Sequence, residues 1–285
     1  MSDTIAILGM PFLVCTLLAT MLGYLGIHVV KREIIFVDIA MAQIAAVGGI
    51  VAHLLFDVHD DSIVAFLCGM TMIGLAAVFF ATARVRLPQV SLEAIIGVTY
   101  AVSAGGALFL VGIAPGGHMH VEKLLSGNLL WTSRADLWWM AAVFTPVVVI
   151  FLGARKPLGR LTDPQNSDSK GSRILGWDVV FYLILGMVIT LAVRLAGIVL
   201  VFAYLVIPAT LSLMLSLGWM GRVLVVWAVG ISASGFGLIF AYKLDFSVGP
   251  SIALFLGLGL TLTAVIKQAR EWVAKVHPLS ITKLP

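Results

Sequence analysis

The chain has 285 residues, of which 61% are apolar and only 11% charged, against about 25% charged in an ordinary soluble domain. Its 18 basic and 14 acidic side chains cannot cover the surface of a soluble fold of this size, so the apolar excess faces lipid or other apolar helices. The net charge of +4 is set at the segment ends and marks orientation in a membrane rather than a nucleic-acid surface.

The first apolar stretch, residues 5–30, has only Asp3 before it and no basic leader, so it reads as a retained membrane helix and not a cleaved signal peptide. Further helices are expected at 34–56, 62–83, 94–113, 136–154, 177–193, 197–217, 223–241 and 250–267. The short turn at Arg194, Leu195 and Ala196 also reads as a break within one buried element. Nine spans of roughly 20 residues take about 180, which leaves no room for a soluble catalytic domain. The runs are continuous and lack the period-two alternation of barrel strands. The expected fold is therefore all-α, a polytopic helical bundle forming one transmembrane domain over 1–285.

With the N-terminus outside, fourteen Lys and Arg fall on inner segments and four, Lys123, Arg134, Arg194 and Lys243, on outer ones. This positive-inside bias puts the C-terminus in the cytoplasm, in a bacterial inner membrane or its equivalent. Cys15 and Cys68 lie within apolar segments and offer no disulfide framework. Glycine clusters such as Gly105-Gly106 and Gly257-Leu258-Gly259 are expected to let helices approach closely.

Polar groups at membrane depth carry the functional information, because an acid near a helix centre costs about 2.5–3.5 kcal/mol on insertion scales. Asp38 is the clearest, either held by a neighbouring helix or facing a hydrated path. Met41 and Ala42 share its face, while Gln43 lies about 140° away around an ideal helix. A second group, His118, His120 and Glu122 in the loop after the fourth helix, has ligand types that suit first-row metals; the same side chains could equally cap a short helix and stay wet. A third, His53, Asp57, His59, Asp60 and Asp61, would attract cations or simply form an acidic turn. Glu93 and Asp178 lie near inner helix ends. No phosphate-binding Gly-x-x-x-x-Gly-Lys-Ser/Thr loop, His-Glu-x-x-His or Gly-x-Ser-x-Gly occurs, which argues against nucleotide hydrolysis and intramembrane proteolysis by this chain.

Four stretches carry a resemblance. Gly23-Tyr24-Leu25-Gly26 with Val30-Lys31-Arg32 and Phe36-Val37-Asp38 is the first, and Glu93-Ala94-Ile95-Ile96-Gly97 the second. The third joins Ala114–His118 to Leu124-Leu125-Ser126-Gly127-Asn128-Leu129-Leu130, and the fourth joins Gly197-Ile198-Val199-Leu200 to Leu205-Val206-Ile207-Pro208-Ala209-Thr210. In order and together, they resemble the membrane permeases of ATP-binding-cassette importers for zinc, manganese and iron. Where that family has Asp followed four residues on by a His, a pair thought to contact the metal, this chain has Asp38 and Ala42. Leu161-Thr162-Asp163-Pro164 is similar to the start of the family's ATPase-docking helix, but 165–173 is Ser- and Asn-rich, poor helix-forming material.

The resemblance implies a homodimer with the ion path on its two-fold axis, lined by the second helix of each copy, notably Asp38, Met41 and Gln43. It also implies separate ATPase subunits, docked on loop 155–173 through Arg155, Lys156, Arg160 and Asp163, and a periplasmic metal-binding protein. ATP would be bound by the partner and the divalent cation would be cargo, with no cofactor held by this chain. The alternative is an ion-coupled secondary transporter, against which stand the scarcity of buried acids and the lack of an inverted repeat. A membrane enzyme would need a paired nucleophile and base at depth, and none is evident.

Overall fold

The computed structural model describes residues 2–58, 62–113, 127, 129–153, 172–215 and 217–276. Among these the structure is all-helical: α1 Ser2–Lys31, α2 Val37–Phe56, α3 Ile63–Arg86, α4 Leu92–Ile113, a 3-10 turn Leu129–Trp131, α5 Arg134–Gly153, α6 Ser172–Met214, α7 Trp219–Leu244 and α8 Val248–Val276. All eight α-helices are long and apolar enough to cross a membrane, and the segment within α6 runs 40 residues, Leu175–Met214.

That length is resolved by one residue. Gly197 leaves helical geometry at φ 76, ψ 160, a conformation open essentially to glycine alone. A straight helix would hold residues 178 and 209 about 46 Å apart. Yet Asp178 bonds Arg32, and Ala209 packs with Gly26, six residues away along α1. The chain therefore doubles back at Gly197, and its two arms supply the sixth and seventh of the nine expected helices. Ala196 and Ile198 are buried, as a broken helix inside a membrane protein requires. Gly127, also at positive φ, lies against this turn so closely that a Cβ there would fall 2.3 Å from the Ala196 carbonyl carbon.

Local chemistry sets the other helix ends. Ser62 accepts from the Ala65 N–H at 3.1 Å and starts α3. Asp136 accepts from the Ser133 N–H at 2.8 Å while the Ser133 hydroxyl accepts from the Asp136 N–H at 3.3 Å, a reciprocal cap on α5. Asp57 and Asp245 adopt the left-handed conformation and end α2 and α7. Glu33, at φ 57, turns the chain between α1 and α2, which is why α2 begins at Val37 rather than at 34.

The centre of the bundle is α1, wrapped by α6 and α7, with α2 and α3 completing it. Gly26 makes this possible: a Cβ there would lie 1.8 Å from the Leu205 carbonyl oxygen, so only hydrogen fits between α1 and the second arm of α6. The glycines singled out from sequence do not serve this purpose. A Cβ at Gly105, Gly106, Gly257 or Gly259 meets nothing within 4 Å, because α4 and α8 lie at the rim of this chain and expose Leu108, Phe109, Leu254 and Leu258.

Candidate functional site

The turn between α1 and α2 gathers most of the buried charge. Asp178, on the first arm of α6, is fully buried and accepts from Arg32 Nη1 at 3.1 Å. Arg84 Nη1, at the end of α3, donates to both carboxylate oxygens at 3.0 Å. The Arg32 side chain is 2% exposed, and its guanidinium carbon lies 3.8 Å from the Phe181 ring centroid, a desolvated cation–π contact. Burial pulls the Arg32 guanidinium below its ordinary pKa and the Asp178 charge pulls it back up. Three helices are thus tied at one end by a buried three-membered ion cluster. The sequence showed all three residues near helix ends, but not that they meet.

Asp38 sits in the first turn of α2 and is 2% exposed. Its Oδ1 has no hydrogen-bond partner among the described residues. Met41 and Ala42 are buried on the same side. The Met41 sulfur faces α6, 3.4 Å from where a Cβ on Gly186 would stand, so Met41 is packing between helices. Gln43 is only half-buried and shares its stripe of α2 with Ile39 and Ala46, separate from Asp38 as the helical geometry requires. Asp38 and Gln43 therefore do not converge.

Glu93, which sequence reading had placed only near a helix end, reaches this turn. It is in the first turn of α4, and its Oε1 accepts from the Phe36 N–H at 3.1 Å. This satisfies one of the orphan N–H groups at the start of α2. Its Oε2 is buried with no hydrogen-bond partner among the described residues. No spacing rule could have linked the two, since 57 residues separate them.

A second buried polar contact joins the second arm of α6 to α7, where the Tyr204 hydroxyl and Ser234 Oγ are 2.5 Å apart. Cys15 is buried and Cys68 half-buried, both free thiols. His53 Nδ1 lies 2.8 Å from the Val58 carbonyl, at the end of α2, and Asp57 is exposed. His59, Asp60 and Asp61 lie outside the described residues, as do His118, His120 and Glu122 and the loop residues Arg155, Lys156, Arg160 and Asp163. Among the described residues no group of three or more His, Cys, Asp and Glu is placed to hold a metal ion.

The model of the ABC 3 transport family matches residues 5–268. The chain belongs to the ABC 3 transport family. Among relatives of this permease is the manganese import system permease protein ScaB of Streptococcus parasanguinis, 24% identical and covering 81% of this chain and 80% of that one. Another is a probable metal transport system membrane protein of Chlamydia muridarum, 22% identical over 87% of this chain and 84% of the relative. The fold is shared with the PsaBC complex of Streptococcus pneumoniae bound to a Fab, at TM-score 0.75, 17% identity, and 92% and 94% coverage of the two chains. It is shared too with an inward-facing putative metal-chelate type ABC transporter, at TM-score 0.68, 15% identity, and 90% and 85% coverage.

Proposed function

We propose that this ABC 3 permease moves a divalent metal cation, Zn²⁺, Mn²⁺ or Fe²⁺, inward across a bacterial inner membrane, driven by separate ATPase subunits. The observation that carries the reading is Asp38: a carboxylate buried within a helix bundle, one oxygen of which no described group satisfies. Such a group is retained at a cost of several kcal/mol unless a cation or water completes it. In a family of transport permeases, the cation is cargo, and Asp38 replaces part of its hydration shell.

Because Asp38 is enclosed within a single chain here, helices must part before an ion reaches it from either side, as alternating access demands. ATP binding and hydrolysis on the partner supply that work. The remaining assignments extend the reading: a homodimer, the N-terminus outside and the C-terminus cytoplasmic, a periplasmic metal-binding protein delivering the ion, and ATPase docking by Arg155, Lys156, Arg160 and Asp163. His118, His120 and Glu122 would hand the ion in from outside.

The test is transport in proteoliposomes holding the permease with and without its ATPase subunit. Metal uptake should require the ATPase and ATP, and Asp38→Ala should abolish it while the complex still assembles. ATP-independent uphill transport by the permease alone would favour the secondary-transporter alternative, and unchanged uptake by D38A would remove Asp38 from the mechanism.

A further inference from the structure

Arg32 and Arg84 bring two positive charges to the single carboxylate of Asp178, so the joint between α1, α3 and the first arm of α6 carries one positive charge in excess. Phe181 and Tyr182 follow Asp178 by three and four residues and share its face of α6. Arg32 lies along that face, with Nη1 on Asp178 and its guanidinium over the Phe181 ring. The Phe181 and Tyr182 rings are 5.5 Å apart, and Phe80 of α3 meets Tyr182 edge-on at 5.8 Å. Phe80, Asp178, Phe181 and Tyr182 are all fully buried. Yet Arg32 Nε, Arg32 Nη2 and the Tyr182 hydroxyl have no hydrogen-bond partner among the described residues. The guanidinium borders that hydroxyl, but arginine can only donate, so contact between the two leaves the phenol proton unmet. Asp178 already accepts three bonds.

We infer that a small monovalent anion of the halide class sits against Arg32 Nε, Arg32 Nη2 and the Tyr182 hydroxyl. Buried donors with no acceptor are costly to leave unmade, and this joint holds three of them on two side chains. The excess positive charge excludes a cation. A water would satisfy the donors but bring two hydrogens of its own, for which the described side chains around it supply no uncommitted acceptor. A halide only accepts, and it also neutralises the extra charge. The Arg84 side chain, 33% exposed, marks the side from which the ion enters. The anion is resident in the joint and is not cargo, so the inference does not depend on the metal-transport reading. Its occupancy adds a second negative pole where α1, α3 and α6 meet, and so couples the firmness of that joint to the halide around the protein.

The decisive variant is Tyr182→Phe, which keeps the ring and removes the donor. The full-length permease in detergent is heated in sodium gluconate, chloride or bromide at constant ionic strength, and its melting temperature is read by fluorescence-detected size-exclusion chromatography. Wild type should gain several degrees, saturably, as chloride or bromide replaces gluconate. In Y182F the halide concentration at half-effect should rise about tenfold or more, as expected for losing one hydrogen bond to a charged partner. In gluconate alone, Y182F should be at least as stable as wild type, because a buried unmet donor has gone. A second measurement needs no variant: crystals of the wild type grown in sodium bromide should show an anomalous-scattering peak within hydrogen-bonding distance of Arg32 and Tyr182. A melting temperature blind to halide, the result a water at the site would give, overturns the inference. An equal halide gain in Y182F, the mark of a general salt effect, does the same, as does a bromide peak found only elsewhere. Lower stability of Y182F in gluconate would show the hydroxyl already satisfied by the protein and also overturns it. If Y182F gives no folded protein, the bromide map of the wild type decides alone.

Discussion

Replacing Asp178 by Ala removes the shared anion from between two guanidinium groups that differ sharply in exposure. The Arg32 side chain is 2% exposed and that of Arg84 33%. Breaking a buried pair by deleting one partner costs about 3–5 kcal/mol, because the remaining charge stays desolvated. Arg32 meets that condition, since it is pinned over Phe181; removing Arg84 instead leaves Asp178 paired with Arg32 through Oδ1 and strips the donor from Oδ2, a cost of about 1–3 kcal/mol. Asp178→Ala should therefore lower the melting temperature of the purified permease by on the order of 10 °C, taking roughly 2–4 °C per kcal/mol for a chain somewhat below this size. Arg84→Ala should lower it by roughly half as much on the same scale. The apolar double variant Arg32→Met with Asp178→Leu should recover most of the loss, because no buried charge is left uncompensated. Fluorescence-detected size-exclusion chromatography after a temperature series gives all the values. Equal losses in D178A and R84A, or a double variant no better than D178A, would refute the claim that burial of Arg32 dominates this cluster.

Two further expectations concern backbone geometry. Gly197→Ala places a side chain at φ 76, ψ 160 and should destabilise by about 1–3 kcal/mol, seen as a drop in thermal stability and in folded yield; wild-type stability would mean the turn relaxes without cost. Gly26→Val should be worse tolerated than Gly105→Val, since the added carbon meets a backbone carbonyl at 1.8 Å in one case and open space in the other. Membrane expression and monodispersity of the two variants compare them directly.

Much of this architecture could be read from sequence because lipid imposes simple arithmetic: a span needs a long apolar run, and those runs are plain in the chain. Boundaries were less legible. α8 continues to Val276, past the expected end at 267, because Gln268, Ala269, Arg270 and Glu271 form helix well without being apolar. Gly197 was read as the first residue of a helix and is the corner itself, a distinction that hydropathy does not encode. At the site, Asp38 stood out as an acid in an apolar run, whereas Glu93 and Asp178 gain their meaning from partners 57 and up to 146 residues away. Within this chain the glycine clusters at 105–106 and 257–259 are not at close helix approaches: composition shows where close approach is permitted, and only the fold decides where it is used.

The corner at Gly197 bears on how the protein is made. The segment Leu175–Met214 runs 40 residues, and the connector between its halves is only the short turn at Arg194, Leu195 and Ala196 before Gly197. Neither half can settle as a solitary rod, because the unpaired amides and carbonyls at the bend would meet hydrocarbon. Both halves pack on α1, which is synthesised earlier, through Arg32 with Asp178 and Gly26 with Leu205.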